Sequence, residues 1–267
     1  MKAKFFIFIL LTAIQVVAAD TSELCTDNKE IILQYEKQIK PLPNNEDEFT
    51  LVTWNAHKFL DKNFFNDLKK LSQDADIILL QEAMHSSSWQ SAFLKNFPFS
   101  FTFFKSFCTN NNQATGVQSA ARFKLLNNIN LVSPDKEPIT NTPKVSGVSR
   151  VEIPGHGSVL IVNTHALNFN TGSSFEHHIN QIAAYIETQP GPVIWAGDFN
   201  TWDSERQKYL DKKTKALALK NVIPVNDNRK EKLDHIFVRG FTVVIAEVLN
   251  QKSSDHRPLR TILKFEN

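Results

Sequence analysis

The stretch PVIWAGDFNTW, residues 192–202, runs four apolar residues into a glycine, an acid and an amide. Val193 to Ala196 read as a buried strand that follows a Pro-Gly-Pro turn. Asp198 and Asn200 then stand at the strand's C-terminal lip, where carboxylate and amide oxygens suit a hard cation or a phosphate site. Glycine, aspartate and asparagine are also ordinary turn residues, so this stretch alone fits either reading.

The same ending recurs outward along the chain. LVTWNAHK ends a strand in Asn55, DIILLQEA in Glu82, and LIVNTHALN in Asn163 and His165. KLDHIFV begins a strand with Asp234, and SSDHRPL sets Asp255 and His256 just before the last strand. Counting the opening stretch, six segments deliver a carboxylate, amide or imidazole at a strand end, which points to one shared site. These residue types fit phosphate-ester cleavage, which needs neutralised phosphoryl oxygens, an activated water and a stabilised leaving oxygen. Acid oxygens with few thiols favour Mg²⁺ or a similar hard cation over structural zinc.

Between these endings, helices alternate with strands. Phe64, Phe65, Leu68 and Leu71 have helical spacing, residues 86–97 look helical, and residues 173–187 form a helix with a Ser173/Glu176 capping box. Strands are expected at 114–123, 146–153, 158–163, 233–238, 242–249 and 259–265. Phe97, Phe99, Phe101 and Phe103 alternate as one strand face does and read as core, with a membrane-touching surface as the alternative. His177 and His178 point about 100° apart on their helix, which suits surface or packing roles better than a shared metal. Elements mixed at this density predict an α/β or α+β sandwich with helices outside the sheets.

Taken in order, WNAHK, LLQEA, NTHALN, AGDFNTW, LDHIF and SDHRPL resemble the endonuclease/exonuclease/phosphatase superfamily, over about residues 50–265. That group includes DNase I-like nucleases, apurinic endonucleases, neutral sphingomyelinases and inositol polyphosphate phosphatases, and the chain also resembles an uncharacterised bacterial branch of it, here with an export signal. The resemblance implies a four-layer α/β sandwich, two packed mixed sheets flanked by helices, and a metal-dependent hydrolase of phosphate esters. It implies that Glu82 is the principal Mg²⁺ ligand, with Asn55 nearby and Asp255 assisting through the metal or its waters. Mn²⁺ or Ca²⁺ could replace Mg²⁺. Asp198 and Asn200 would align the attacking water and the phosphate, and His256, oriented by Asp234, would be a base or phosphate contact. His165 would contact or protonate the opposite side of the phosphate. His57, Lys58, His85, Arg122 and Arg150 are weaker candidates for phosphate contacts. Ala121 stands where the family often carries a serine, and QEAMH lacks the arginine that DNase I-like nucleases place after the glutamate.

The chain has 267 residues, 42% of them hydrophobic, and a formal charge of +2. Lys2 and Lys4 precede an apolar run to Val17, and VAAD then reads as a signal-peptidase site, giving a leader over residues 1–19. That run is short for the roughly 20 residues that span a bilayer, so no stable membrane span is expected after cleavage, and the protein is expected to be periplasmic or secreted. The mature chain would be near neutral, which argues against nucleic-acid wrapping by bulk charge but not against a local phosphate site. Residues 20–48 read as a helical extension on Ile31, Ile32, Tyr35 and Ile39, followed by one main domain over 49–267. Cys25 and Cys108, an even pair in an exported chain, read as one disulfide, with two unpaired thiols as the alternative. The favoured reading is a monomeric exported phosphodiesterase acting on nucleic acid. A phospholipid or inositol-phosphate esterase comes second, and a non-catalytic binding protein third.

Overall fold

A computed structural model describes Cys25 and residues 32–37, 48–153, 155–169 and 172–266. The expected leader and most of the 20–48 extension lie outside these residues. Within that extension the expectation of helix is corrected. Ile32–Tyr35 form a strand, β1, that pairs antiparallel with Phe101–Phe104. An apolar i, i+3, i+7 pattern can be met by chance in a short segment, and here an open sheet edge takes the backbone hydrogen bonds instead.

Two mixed sheets make up the body. The first joins β1 to β4 (Ser100–Cys108), β5 (Ala114–Ala121), β3 (Ile77–His85), β2 (Glu48–Asn55), β13 (Leu259–Phe265) and β12 (Phe241–Val248), in that order. In the second, β10 (Lys220–Asn221) is followed by β11 (Asp234–Arg239), β9 (Val193–Asp198), β8 (Gly157–His165), β7 (Val145–Ile153) and β6 (Leu125–Val132). Each sheet holds one parallel pair, β2 with β3 and β8 with β9.

Side-chain alternation divides the core into three layers. Leu51, Ile77, Leu79, Ile161, Ile194 and Ile236 point between the sheets and fuse them. Their neighbours Val52, Ile78 and Leu80 point outward, onto α1 (Phe64–Leu71) and α2 (Ser87–Asn96), where Phe64, Leu68 and Phe93 meet them. Leu160, Val162 and Trp195 pack against Phe175, Ile179 and Ile182 of α3 (Gly172–Glu187) and Leu210 of α4 (Ser204–Ala216). Strands covered on both faces read as continuous apolar runs for this reason. The result is helix, sheet, sheet, helix. Phe97, Phe99, Phe101 and Phe103 are fully buried and belong to the outer layer of the first sheet, as core. β4 runs on through residues 105–108, and Cys108 at its end is disulfide-bonded to Cys25.

Candidate active site

The two parallel pairs bring their C-terminal ends together across the sandwich. Asn55 closes β2, Glu82 lies near the end of β3, His165 closes β8 and Asp198 closes β9. Register adds the rest: His165 and Asp234 are both cross-strand partners of Asp198, on β8 and β11. β13 runs antiparallel to β2 with Leu259 opposite Thr53, so the segment before it passes the end of β2, and His256 accepts a hydrogen bond from the Trp54 indole at its carbonyl.

Gly197 explains the glycine of the opening stretch. Its φ is +141°, and a Cβ there would lie 2.0 Å from the Thr164 carbonyl oxygen. A bare backbone therefore lets β9 press against β8 one residue before Asp198.

Glu82, His165, Asp198, Asn200, Asp234, Asp255 and His256 all line one cleft of about 660 Å³. Asn55 lies just beneath it, 2% exposed, and its amide donates to Asp198 Oδ2 at 2.9 Å while its Oδ1 accepts the His57 N–H. Asp198 Oδ1 accepts the Asn200 N–H at 3.0 Å. Asp198 Oδ2 also lies 3.7 Å from His165 Nε2 and 3.9 Å from His256 Nε2, so one buried carboxylate stands between two imidazoles. Behind it, His256 Nδ1 and Asp234 Oδ2 share a hydrogen bond of 2.9 Å. Asn200 holds φ +51° and donates from its amide to the Ala166 carbonyl.

The charges follow from these neighbours. Burial works against a charged His256, but the adjoining Asp234 and the nearby Asp198 and Asp255 raise it to about 10, so it is an imidazolium at neutral pH. His165, buried and facing Lys144, is held well below its ordinary value and stays neutral. Burial and the neighbouring Asp234 push Asp198 up, against the pull of His256, Asn55 and the Asn200 N–H. Glu82 goes the other way. Burial alone would raise it, but the Lys58 ammonium at 2.7 Å and the nearby Lys144 hold it low.

Glu82 sits in a bulge between Leu80 and Ala83, with φ +47°. His57, Lys58 and Phe59 follow one another with φ of +44°, +54° and +57°. Left-handed conformations at non-glycine residues cost about 1–2 kcal/mol each, strain that concentrates at functional sites. The turn carries Lys58 Nζ to 2.7 Å from Glu82 Oε2 and sets His57 Nδ1 3.5 Å from Asp255 Oδ1. A bulge and a strained turn thus aim one carboxylate and one ammonium at each other on the cleft wall.

Oxygen donors for a hard cation are present at this wall: the Glu82 carboxylate, with Asp255 on the same cleft and Asn55 Oδ1 below. The Lys58 ammonium against Glu82 is a cation already standing where a divalent ion would bind, so the residues fit such an ion. Asp198, Asp234 and His256 are a second group able to hold a metal, with ligand atoms all within 4.8 Å of one another.

Several cleft residues escaped the sequence reading. Lys144 reaches Glu137 at 3.4 Å, and Glu137 Oε1 accepts the Asn168 N–H, tying the 133–144 loop to the segment after β8. Arg229 donates to the Asp234 carbonyl and lies 3.7 Å from its carboxylate, and Arg257 and Phe169 also line the cleft. Lys144 and Arg229 sit in polar loops with no local signal. Of the weaker candidates, Lys58 is in the cleft, whereas Arg122 donates to the Ser72, Gln73 and Ala75 carbonyls, Arg150 to Gln189 and Ser158, and His85 bonds Tyr35. His177 pairs with Asp135 at the surface and His178 is buried in the core, so they share no metal.

Two packed sheets with acids, amides and imidazoles gathered at the ends of their parallel pairs are the architecture of the DNase I-like sandwiches, a class of hydrolases acting on phosphate esters. The chain belongs to the Endonuclease/Exonuclease/phosphatase family, whose model matches residues 52–256. It is 28% identical over 255 residues to a UPF0294 protein of Vibrio parahaemolyticus, covering 92% of this chain and 86% of that one. Its fold is similar to the human Nocturnin catalytic domain with bound sulfate anion, with TM-score 0.64, 20% identity, and 89% and 97% of the two chains covered. It is also similar to sphingomyelinase C from Streptomyces griseocarneus, with TM-score 0.58, 14% identity, and 82% and 99% covered.

Proposed function

We propose that the protein is an exported, Mg²⁺-dependent phosphodiesterase that cleaves nucleic acid by in-line attack of water. The observation that carries this reading is the position of Asp198, hydrogen-bonded to Asn55 and Asn200 and set between the ring nitrogens of His165 and His256. Asp198 takes the proton of the attacking water, a role suited to a carboxylate whose basicity burial has increased. Asn200 helps to align that water and the phosphate. The His256 imidazolium, held by Asp234, donates to a phosphoryl oxygen. His165, kept neutral, contacts the phosphate from the opposite side. Glu82 is the principal metal ligand, with Asn55 and Asp255 assisting. The bound ion supplies charge neutralisation at the phosphoryl and leaving oxygens. Attack by water leaves no covalent enzyme intermediate and inverts configuration at phosphorus.

Nucleic acid is favoured over a phospholipid because the Phe-rich stretch, the sequence's candidate for bilayer contact, is buried. Among the described residues no helix is long and apolar enough to cross a membrane. Export rests on the N-terminal sequence pattern and agrees with the Cys25–Cys108 bridge. Purified protein with Mg²⁺ is to be incubated with plasmid DNA, RNA, sphingomyelin and inositol phosphates, beside Glu82→Ala. The expected result is nicking or degradation of nucleic acid that EDTA and the substitution both abolish. Release of phosphocholine or orthophosphate instead would replace the substrate assignment, and equal inertness of both proteins would favour a binding role.

A further inference from the structure

A second groove, of about 380 Å³, opens beside the catalytic cleft and shares one wall with it, Lys58. Phe59, Met84 and Trp89 supply its apolar lining, and Ser86, Ser88 and Gln113 its polar edge. Phe59 and Trp89 lie against each other with ring centroids 3.9 Å apart, and both are only partly buried. The Trp89 indole N–H has no acceptor among the described residues. The partition between groove and cleft is the left-handed turn His57–Phe59, which turns Lys58 toward Glu82 and Phe59 toward Trp89. Conformational strain has therefore been retained at the one place where the two cavities meet, and it orients a side chain into each.

We infer that this groove receives the nucleoside next to the scissile phosphate of a single-stranded nucleic acid, an inference that rests on the phosphodiesterase reading above. Continuity fixes the order of the units. A phosphate beside Glu82 and Lys58 leaves the next unit of the chain at the mouth of the groove. The volume is that of a small-molecule site, enough for one sugar and base and too small for a duplex. Aromatic rings beside a cation are what stacks a base without reading its identity, while the serines and Gln113 offer hydrogen bonds to its edge. An unpaired base presents its face to such a wall, whereas a paired and stacked one does not.

The test compares kcat/KM for a short oligothymidylate with that for methyl p-nitrophenyl phosphate, a diester with no base. Ser88→Trp fills the groove from an exposed helical position, and Trp89→Leu removes the larger aromatic ring of its lining. In each variant the oligothymidylate-to-methyl-ester ratio is expected to fall about tenfold, mostly through KM, the loss of roughly one base-stacking contact. Circular dichroism identifies any variant that fails to fold, and Ser88→Trp alone then carries the test. An unchanged ratio in a folded variant overturns the inference. Wild type that cleaves the methyl ester but no oligonucleotide overturns the nucleoside occupant and leaves the phosphodiesterase reading standing. Wild type that cleaves neither sinks both. Sphingomyelin vesicles cleaved in a groove-dependent way, with oligonucleotides untouched, would assign the groove to a lipid head group.

Discussion

Two imidazoles flank the Asp198 carboxylate, His165 Nε2 at 3.7 Å and His256 Nε2 at 3.9 Å, and their surroundings give them opposite charge states. Asp198, Asp234 and His256 stand out in the sequence because six segments bring the same residue types to strand ends, although each ending alone fits a turn. That His256 is protonated and His165 neutral follows from their surroundings: Asp234 adjoins one ring, while burial and Lys144 act on the other. His256→Ala is expected to lower kcat on a generic diester by about 10²–10³-fold, the usual cost of removing one donor to a developing charge, with unchanged circular dichroism. Buried histidines away from the cleft make a separate prediction about acid. Burial lowers His178 to about 3, and its ring nitrogens find no partner among the described residues. Because the folded value lies below the unfolded one, the unfolded chain binds the proton first. Stability is therefore full above about pH 6.5 and falls as pH drops toward 3. His85 and His235, each lowered to about 4 by burial, act in the same direction. His178→Leu should flatten this dependence, gaining about 2 kcal/mol at pH 5 relative to its effect at pH 7, as urea unfolding at the two pH values would measure.

Elements were legible where burial is two-sided. β3, β8 and β9 are apolar runs that only a covered strand needs, and their positions match the expectation within a few residues. β6 was not anticipated. Its sequence LLNNINLV is interrupted by asparagines, and a bulge between Leu126 and Ile129, with Asn127 at φ +50°, breaks the alternation. Nor was α4, which buries only Arg206, Leu210 and Thr214 and so shows no apolar stripe. Its signal was Asp203, the N-cap, whose carboxylate accepts the Glu205 and Arg206 N–H groups. The same scale explains why the sheets hold their registers at the site. Gln81 of β3 donates across the sandwich to Asn163 Oδ1 of β8 at 2.7 Å, and the Asn163 amide donates to the Leu80 and Gln118 carbonyls. Asn163→Ala would leave Gln81 and two strand carbonyls without these partners. It is expected to cost about 1–3 kcal/mol, read as a lower urea midpoint, and to reduce activity by loosening Glu82 against His165. Gly197→Ala adds a Cβ where β9 crosses the Thr164 carbonyl. A loss of about 3 kcal/mol or more, with activity falling too, is the expected outcome of strain one residue from Asp198.

The whole molecule ties distant stretches of chain into one body. The Cys25–Cys108 bridge closes a loop of 83 residues and fastens the segment before β1 to the end of β4. By chain entropy such a loop stabilises the folded state by about 4–5 kcal/mol. Cys25→Ser with Cys108→Ser should lose most of that in denaturant titration, while the proposed phosphodiesterase activity persists below the new midpoint because neither cysteine lines the cleft. What the sequence determined by itself is the two-sided burial of the central strands and the polar residues at their ends, because hydrophobic periodicity and residue chemistry are local properties. The tertiary structure alone decided that β1 is a strand, that the turn at 57–59 is strained, that Lys58 faces Glu82, and that Lys144 and Arg229 join the cleft. Those outcomes depend on which surfaces meet across two sheets, and contact between residues far apart along the chain leaves no mark on the neighbours of either one.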